Sequence, residues 1–326
     1  MSDLIAKCEV CQALLDEEDL FCANCGAVGS LRAASKQDDT RSSTHNFECS
    51  GCGASMSYDA SAGRLRCPFC GSEKMAALHD AKVLAPQSVV PFVLEKERAI
   101  AAMRSWLSKG FWRPKDLSQQ ALIVSMTSVY VPYWVFEATT HTYWTADTNQ
   151  TPRGARGDWA PLSGEHRGSY AGLLIGASGA LTPRETAALC PFDLATGVAP
   201  DTIDLDNVTV EQFSVPRKYA RPLARQGLEA REAHECDRRY VPGKSRNVQV
   251  NVRIDGLSSE PVLLPVWMMA YRYQEKVYRF LVNGQTGKST GAAPFSYKKL
   301  ATIVGSVVLA VILLLCLLGV FGALSN

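Results

Sequence analysis

The sequence has few of the residues and motifs from which familiar catalytic sites are built. No HExxH or GxSxG motif is present, and Cys190 and Cys236 have no recognisable nucleophile context. Only five histidines occur, without metal-binding spacing: His45, His79, His141, His166 and His234. These absences argue against zinc-dependent proteases and serine hydrolases, and the sequence gives no positive sign of an enzyme.

A complete phosphate-binding loop is also missing. Residues 282–289 read VNGQTGKS and end like a P-loop, but GxxxxGK[ST] requires glycine where this chain has Val282. The segment that follows, residues 290–294, reads TGAAP and is a poor helix start. Because Asn-Gly pairs are typical of hairpin turns, we predict a turn here and no nucleotide site.

The first residues do not resemble a signal peptide, and the chain lacks a strong overall charge. MSDLIAKCEVCQ contains no apolar core and no cleavage site. The net charge is +2, yet residues 1–80 hold seven Lys and Arg against twelve Asp and Glu. Nucleic-acid binding requires a basic surface, so this acidic region favours a protein-binding or purely structural role.

Cysteine, by contrast, is concentrated in the first 70 residues, where eight of the eleven form four CxxC pairs. Two pairs can supply the four thiolates of a tetrahedral Zn²⁺ site, which leaves the metal no open position and makes it structural. We predict two such ions. The ligands would be Cys8, Cys11, Cys22 and Cys25 for one, and Cys49, Cys52, Cys67 and Cys70 for the other. Glycine follows three of the pairs, where a positive φ is often needed.

Residues 300–324 form a long run without any charge. A helix of this length reaches about 37 Å, and a bilayer core is about 30 Å thick, so we predict a transmembrane helix. Lys298 and Lys299 precede the run. Positive residues favour the inside, so we expect a single-pass inner-membrane protein with its N-terminal bulk in the cytoplasm.

The predicted fold class is α+β, with two small zinc ribbons, a mixed domain and the terminal helix. In detail, the segments are a first ribbon at 1–28, a flexible linker at 29–46, a second ribbon at 47–75, the α+β domain at 81–297 and the span at 300–324.

Local patterns predict several elements of the α+β domain. Ile100, Met103 and Trp106 recur at helical spacing, and Thr182 is placed to cap a second helix. Residues 121–145 favour strands that Pro132 interrupts, and residues 148–167 read as a long loop.

The tetrapeptides VPYW at 131–134 and LPVW at 264–267 suggest an internal duplication. The alternative is that Pro-x-Trp recurs because both strands start at a sheet edge and bury a tryptophan.

The second quartet and its surroundings, FECSGCGASMSYDASAGRLRCPFCGS, resemble the TFIIB-type zinc ribbon. Together with VYVPYW at 129–134, LPVW at 264–267, YRF at 278–280 and VNGQTGK at 282–288, they resemble a bacterial family of zinc-ribbon membrane proteins. Members are often labelled "primosomal protein N′ (replication factor Y), superfamily II helicase-like". The first quartet is similar to the double zinc ribbon of many bacterial adaptors.

The label implies a helicase, but this chain has no complete P-loop and no motor motifs. The family otherwise implies a membrane-anchored partner of envelope-stress proteins, such as phage-shock or SPFH-domain scaffolds. We therefore predict a non-enzymatic, tail-anchored adaptor that recruits protein partners through its ribbons and α+β domain. The alternative is a nucleic-acid-binding or replication-restart accessory.

Overall fold

The structure is a computed structural model, and it describes most of the chain beyond residue 45. The described residues are 6–8, 10–11, 14–15, 40–42, 46–57, 66–78, 82–154, 156–205 and 208–324. Cys22, Cys25 and most of the predicted linker at 29–46 lie outside them.

Strands dominate the described residues. They are β1 (Ala6–Lys7), β2 (Leu14–Leu15), β3 (Thr40–Ser42), β4 (Asn46–Cys49), β5 (Ser55–Ser57), β6 (Met75–Leu78), β7 (Lys82–Leu84), β8 (Ser88–Val89), β9 (Leu122–Thr148), β10 (Ala160–Gly176), β11 (Thr209–Glu211), β12 (Ser245–Tyr273), β13 (Lys276–Asn283) and β14 (Ser289–Gly291). The helices are α1 (Lys96–Ser108), α2 (Leu117–Gln120), α3 (Pro183–Leu189), α4 (Arg217–Tyr240) and α5 (Tyr297–Leu324).

Ten strands join in one mixed sheet. Its order is β14, β13, β12, β9, β11, β5, β4 and β6, with β10 paired to β9 and β8 paired to β12. The long strands β9 and β12 run antiparallel from the Ser245–Thr148 pair to the Arg272–Leu122 pair. Strand accounts for 40% of the structure and helix for 28%. The predicted α+β fold class is therefore wrong, because long-range strand pairing makes the chain mostly sheet.

Proline does not interrupt the long strands. Pro132 lies within β9 and Pro265 within β12, and their carbonyls accept hydrogen bonds from Ala177 (2.9 Å) and Gly284 (2.8 Å). Each proline removes one donor and keeps its acceptor, so the ladder continues past it.

Helices cover two parts of the sheet. Met103 and Leu107 of α1 pack with Tyr271 and Phe280 in one cluster. At the other end of the sheet, the buried stripe of α4 packs against Trp134 and its neighbours. The largest hydrophobic cluster lies between these two. It joins residues of the second ribbon, such as Met56 and Phe69, to residues of the two long strands, among them Tyr133 and Leu264.

The repeated tetrapeptides occupy repeated surroundings. The Nε1 of Trp134 donates to the carbonyl of Val215, and the Nε1 of Trp267 donates to the carbonyl of Leu94, both at 2.8 Å. Each indole also contacts a phenylalanine two residues before that carbonyl, with ring centroids 5.4 Å and 5.3 Å apart.

Strand order repeats in the same way. The short strand β11 runs parallel to β9 and leads into α4, while β8 runs parallel to β12 and leads into α1. The two long hairpins, β9–β10 and β12–β13, complete the correspondence. The repeated tetrapeptides therefore belong to a repeated strand–helix–hairpin arrangement.

Helix α5 corrects the membrane prediction. Among the residues that the structure describes, no helix is both long enough and apolar enough to cross a bilayer. This finding overturns the predicted span at 300–324. The single-span membrane partner and the inner-membrane location rested on that span and are corrected with it.

Candidate metal centre

Each CxxC pair of the second quartet lies in a tight turn. The amide of Gly53 donates to the carbonyl of Cys49 at 2.7 Å, and the amide of Gly71 donates to the carbonyl of Cys67 at 2.8 Å. Both glycines have positive φ, +73° and +75°, a region that favours glycine because it has no Cβ. The expected role of the trailing glycines is confirmed for this quartet.

The two turns bring the four sulfurs together. All four Sγ atoms lie within 4.8 Å of one another. Two of the separations are 3.5 Å, between Cys49 and Cys70, and 3.6 Å, between Cys52 and Cys67. A compact set of four soft donors fits a tetrahedral metal ion, so these four residues could hold one.

Burial and hydrogen bonding give the thiols of Cys49, Cys52 and Cys67 different pKa values. Burial raises the pKa of Cys49, but hydrogen bonds from the backbone of Gly51 and Cys52 and from neighbouring thiols outweigh it and bring the pKa to about 7. Burial dominates at Cys52, whose pKa rises to about 11, and it also raises the pKa of Cys67. Thiolate is the form that binds a metal, so Cys49 is better prepared for coordination than Cys52 or Cys67.

The first quartet is described only in part. Cys8 is buried and Cys11 is half-buried, next to the pair of short strands β1 and β2. Cys22 and Cys25 are outside the described part of the chain. A second metal site therefore stays a prediction.

The ribbon belongs to the main sheet through one strand pair that sequence reasoning missed. Ser57 and Met56 of β5 pair with Val210 and Glu211 of β11. More than 150 residues separate these strands, and no local pattern marks either as the other's partner.

Glu211 is a second feature that the sequence did not reveal. Its carboxylate is fully buried, and one oxygen accepts hydrogen bonds from the Ser178 hydroxyl (2.7 Å) and the amides of Gly179 (3.0 Å) and Ala180 (3.2 Å). The other oxygen has no hydrogen-bond partner among the described residues. Burial raises the pKa of Glu211 to about 7, although these hydrogen bonds oppose the shift.

The VNGQTGKS segment forms the expected turn. The Oδ1 of Asn283 accepts from the amides of Gln285 (2.8 Å) and Thr286 (2.9 Å), and Gly287 has φ +77°. These bonds fold the loop back on itself between β13 and β14, so its amides do not form a phosphate cradle.

Comparison with known proteins shows one similarity. The chain is 26% identical over 337 aligned residues to the uncharacterized protein YdjG of Bacillus subtilis (strain 168). The alignment covers 84% of this chain and 98% of the relative. No family model matches the chain, and no solved structure matches it. The similarity therefore spans nearly the whole length of the relative.

Proposed function

We propose that this chain is a non-enzymatic adaptor whose zinc-bound ribbon recruits protein partners. The observation that supports this most is the gathering of Cys49, Cys52, Cys67 and Cys70 at one end of a ten-stranded sheet. A ribbon held by a metal and continuous with a large sheet can present a fixed surface to a partner.

Zinc is the metal that the donors favour. Four thiolates in tetrahedral arrangement are typical of structural Zn²⁺ sites, and they leave no position for a reacting water. We extend the same proposal to Cys8, Cys11, Cys22 and Cys25, which would hold a second ion.

Two features support protein partners over nucleic acid. The acidic balance of residues 1–80 disfavours phosphate backbones, and Arg66 pairs with Glu73 at 2.9 Å within the ribbon. In addition, β6 is the last strand of the sheet in the described part of the chain, and its outer edge can accept a partner strand.

Metal content tests the zinc sites directly. We expect two Zn²⁺ per purified full-length chain, one in Cys67→Ser, and two in the matched control Cys236→Ser, whose cysteine lies on the buried face of α4. A single ion in the unmodified chain that is lost in Cys67→Ser would refute the site of the first quartet, and the absence of any ion would refute both sites.

Partner capture tests the adaptor role. A bound protein should be retained by the unmodified chain and by Cys236→Ser, and lost with Cys67→Ser. Filter binding to single-stranded and forked DNA tests the alternative. Micromolar or tighter, steeply salt-dependent DNA binding would favour the replication accessory instead.

A further inference from the structure

The outer edge of β10 is a long strand edge with no strand beside it in the described part of the chain. On one side β10 pairs with β9, in uninterrupted register from Ala160 to Tyr170, after which a bulge shifts the register. On the other side, no strand among the described residues is joined to it. Such an edge offers amides and carbonyls to another strand, and proteins either block it or use it for pairing.

Backbone alternation decides which groups of β10 face this outer edge. The amide of Ala177 donates to the carbonyl of Pro132 at 2.9 Å, so the even-numbered residues along this part of β9 direct their backbone groups to β10. Thr140 is one of them, and its hydroxyl donates to the carbonyl of Gly168, its partner in β10, at 3.3 Å. The even-numbered residues of β10 therefore face β9, and the odd-numbered residues from 163 to 169 direct their amides and carbonyls outwards.

The sequence of this edge is self-complementary. Residues 163–169 are SGEHRGS, which reads the same in both directions about His166, except that Glu165 on one side corresponds to Arg167 on the other. If two such strands run antiparallel about a two-fold axis at His166, Glu165 of each copy lies opposite Arg167 of the other. Serine then lies opposite serine, and glycine opposite glycine. Both charged side chains are exposed, and they share one face of β10 because alternate residues of a strand do.

We propose that β10 pairs edge to edge with β10 of a second copy of this chain, antiparallel and centred on His166. The sheets of the two copies then join into one continuous sheet across the axis. The outward backbone groups of residues 163–169 form about eight hydrogen bonds, two for each closely spaced pair of residues. Both copies use the same surface, as a closed two-fold dimer requires.

Charged residues on a strand edge have a simpler explanation, because charges commonly keep edges from pairing. Two residues of one sign would oppose self-pairing in every register, but here the signs are opposite and equally distant from His166. A shift of two residues places Glu165 opposite Glu165 or Arg167 opposite Arg167, and parallel pairing in register does the same. Like charges directly opposite each other are destabilising, so the order of the charges selects the antiparallel register centred on His166.

Both charged side chains already have neighbours on their own sheet. The Oε2 of Glu165 lies 2.8 Å from the Nε2 of His141, and 66% of the Glu165 side chain remains exposed. The charge of Arg167 acts on Asp255, whose pKa is lowered first by a hydrogen bond from Arg253. A carboxylate has two acceptor oxygens and a guanidinium has five donors, so a bond across the dimer axis adds to these contacts and does not replace them.

Sedimentation equilibrium of the full-length chain tests the interface, in zinc-containing buffer with a mild non-ionic detergent that covers the exposed apolar side chains of α5. We expect a reversible monomer–dimer equilibrium for the unmodified chain. Glu165→Arg and Arg167→Glu should each raise the dissociation constant about 10-fold, because both ion pairs beside the axis become pairs of like charge. The matched control Glu275→Arg, in the exposed turn between β12 and β13, should leave the dissociation constant unchanged.

Mixing the two single variants separates a broken interface from a misfolded chain. One variant is positive at both positions and the other is negative at both, so their heterodimer has opposite charges in both pairs. An equimolar mixture should therefore dimerise as tightly as the unmodified chain, and so should the double variant Glu165→Arg/Arg167→Glu. A monomeric unmodified chain, a dimer that neither single variant weakens, or single variants that do not recover on mixing would each overturn the proposal.

Discussion

Ionisation of Glu211 should destabilise the fold as the pH rises. Burial raises the pKa of this carboxyl from 4.5 to about 7 in the folded chain. The folded state therefore holds the proton more tightly than the unfolded state does. The stabilisation is complete below pH 4.5 and is lost as the pH rises to about 7. The shift corresponds to roughly 3 kcal/mol, at 1.36 kcal/mol for each pKa unit.

Glu211→Gln removes the charge and keeps an acceptor for the Ser178 hydroxyl and the amides of Gly179 and Ala180. Relative to the unmodified chain, we expect the variant to gain about 2 kcal/mol in free energy of unfolding between pH 5.5 and pH 8. This comparison cancels any pH-independent effect of the amide. Urea unfolding followed by tryptophan fluorescence, in zinc-containing buffer, supplies the measurement.

The control is Glu229→Gln, which removes a glutamate of a surface pair with Arg225. Its stability relative to the unmodified chain should change by less than about 0.5 kcal/mol across the same range, as expected for an exposed helix pair. If the curves of Glu211→Gln and the unmodified chain remain parallel, burial does not raise the pKa of Glu211 as argued.

Two further predictions concern packing. Gly168→Ala should lower the free energy of unfolding by about 2 kcal/mol, because a Cβ would lie 2.5 Å from both Glu232 Oε1 and the Tyr170 ring. The control is Gly157→Ala, where a Cβ would have nothing within 4 Å. It should change the free energy of unfolding by less than about 0.5 kcal/mol in the same urea experiment. Trp134→Phe and Trp267→Phe should each cost about 1–3 kcal/mol by orphaning a carbonyl, and strongly unequal losses by thermal or urea unfolding would contradict their equivalence.

Local signals in the sequence predicted local structure well. The apolar spacing from Ile100 to Trp106 corresponds to α1, and Thr182 forms the expected capping box with Glu185. The second cysteine quartet belongs to the same class, because each CxxC turn is determined by residues a few positions apart. Such patterns depend on backbone geometry within one turn, which the sequence shows directly.

The parts that could not be predicted depend on pairing across the chain. The glycine, proline and arginine content of residues 148–167 predicted a loop. Strand β10 nevertheless begins within this segment, at Ala160, because 15 residues of the strand pair with β9. Pairing with β12 carries β9 through Pro132. The predicted transmembrane helix rested on composition alone, and it is overturned because no helix in the described part of the chain is both long enough and apolar enough to cross a bilayer.

The repeated arrangement explains why the ribbon is part of the sheet. In each half, one side of a short parallel strand is paired to a long strand, and its other side needs a separate partner. On β8, Val89 exchanges two hydrogen bonds of 2.9 Å with Val198, in a connecting segment. On β11, the equivalent Val210 pairs with Ser57 of the ribbon. The ribbon therefore covers a strand edge that the other half covers with a loop. If the four cysteines hold a metal ion, its loss would expose that edge to other chains.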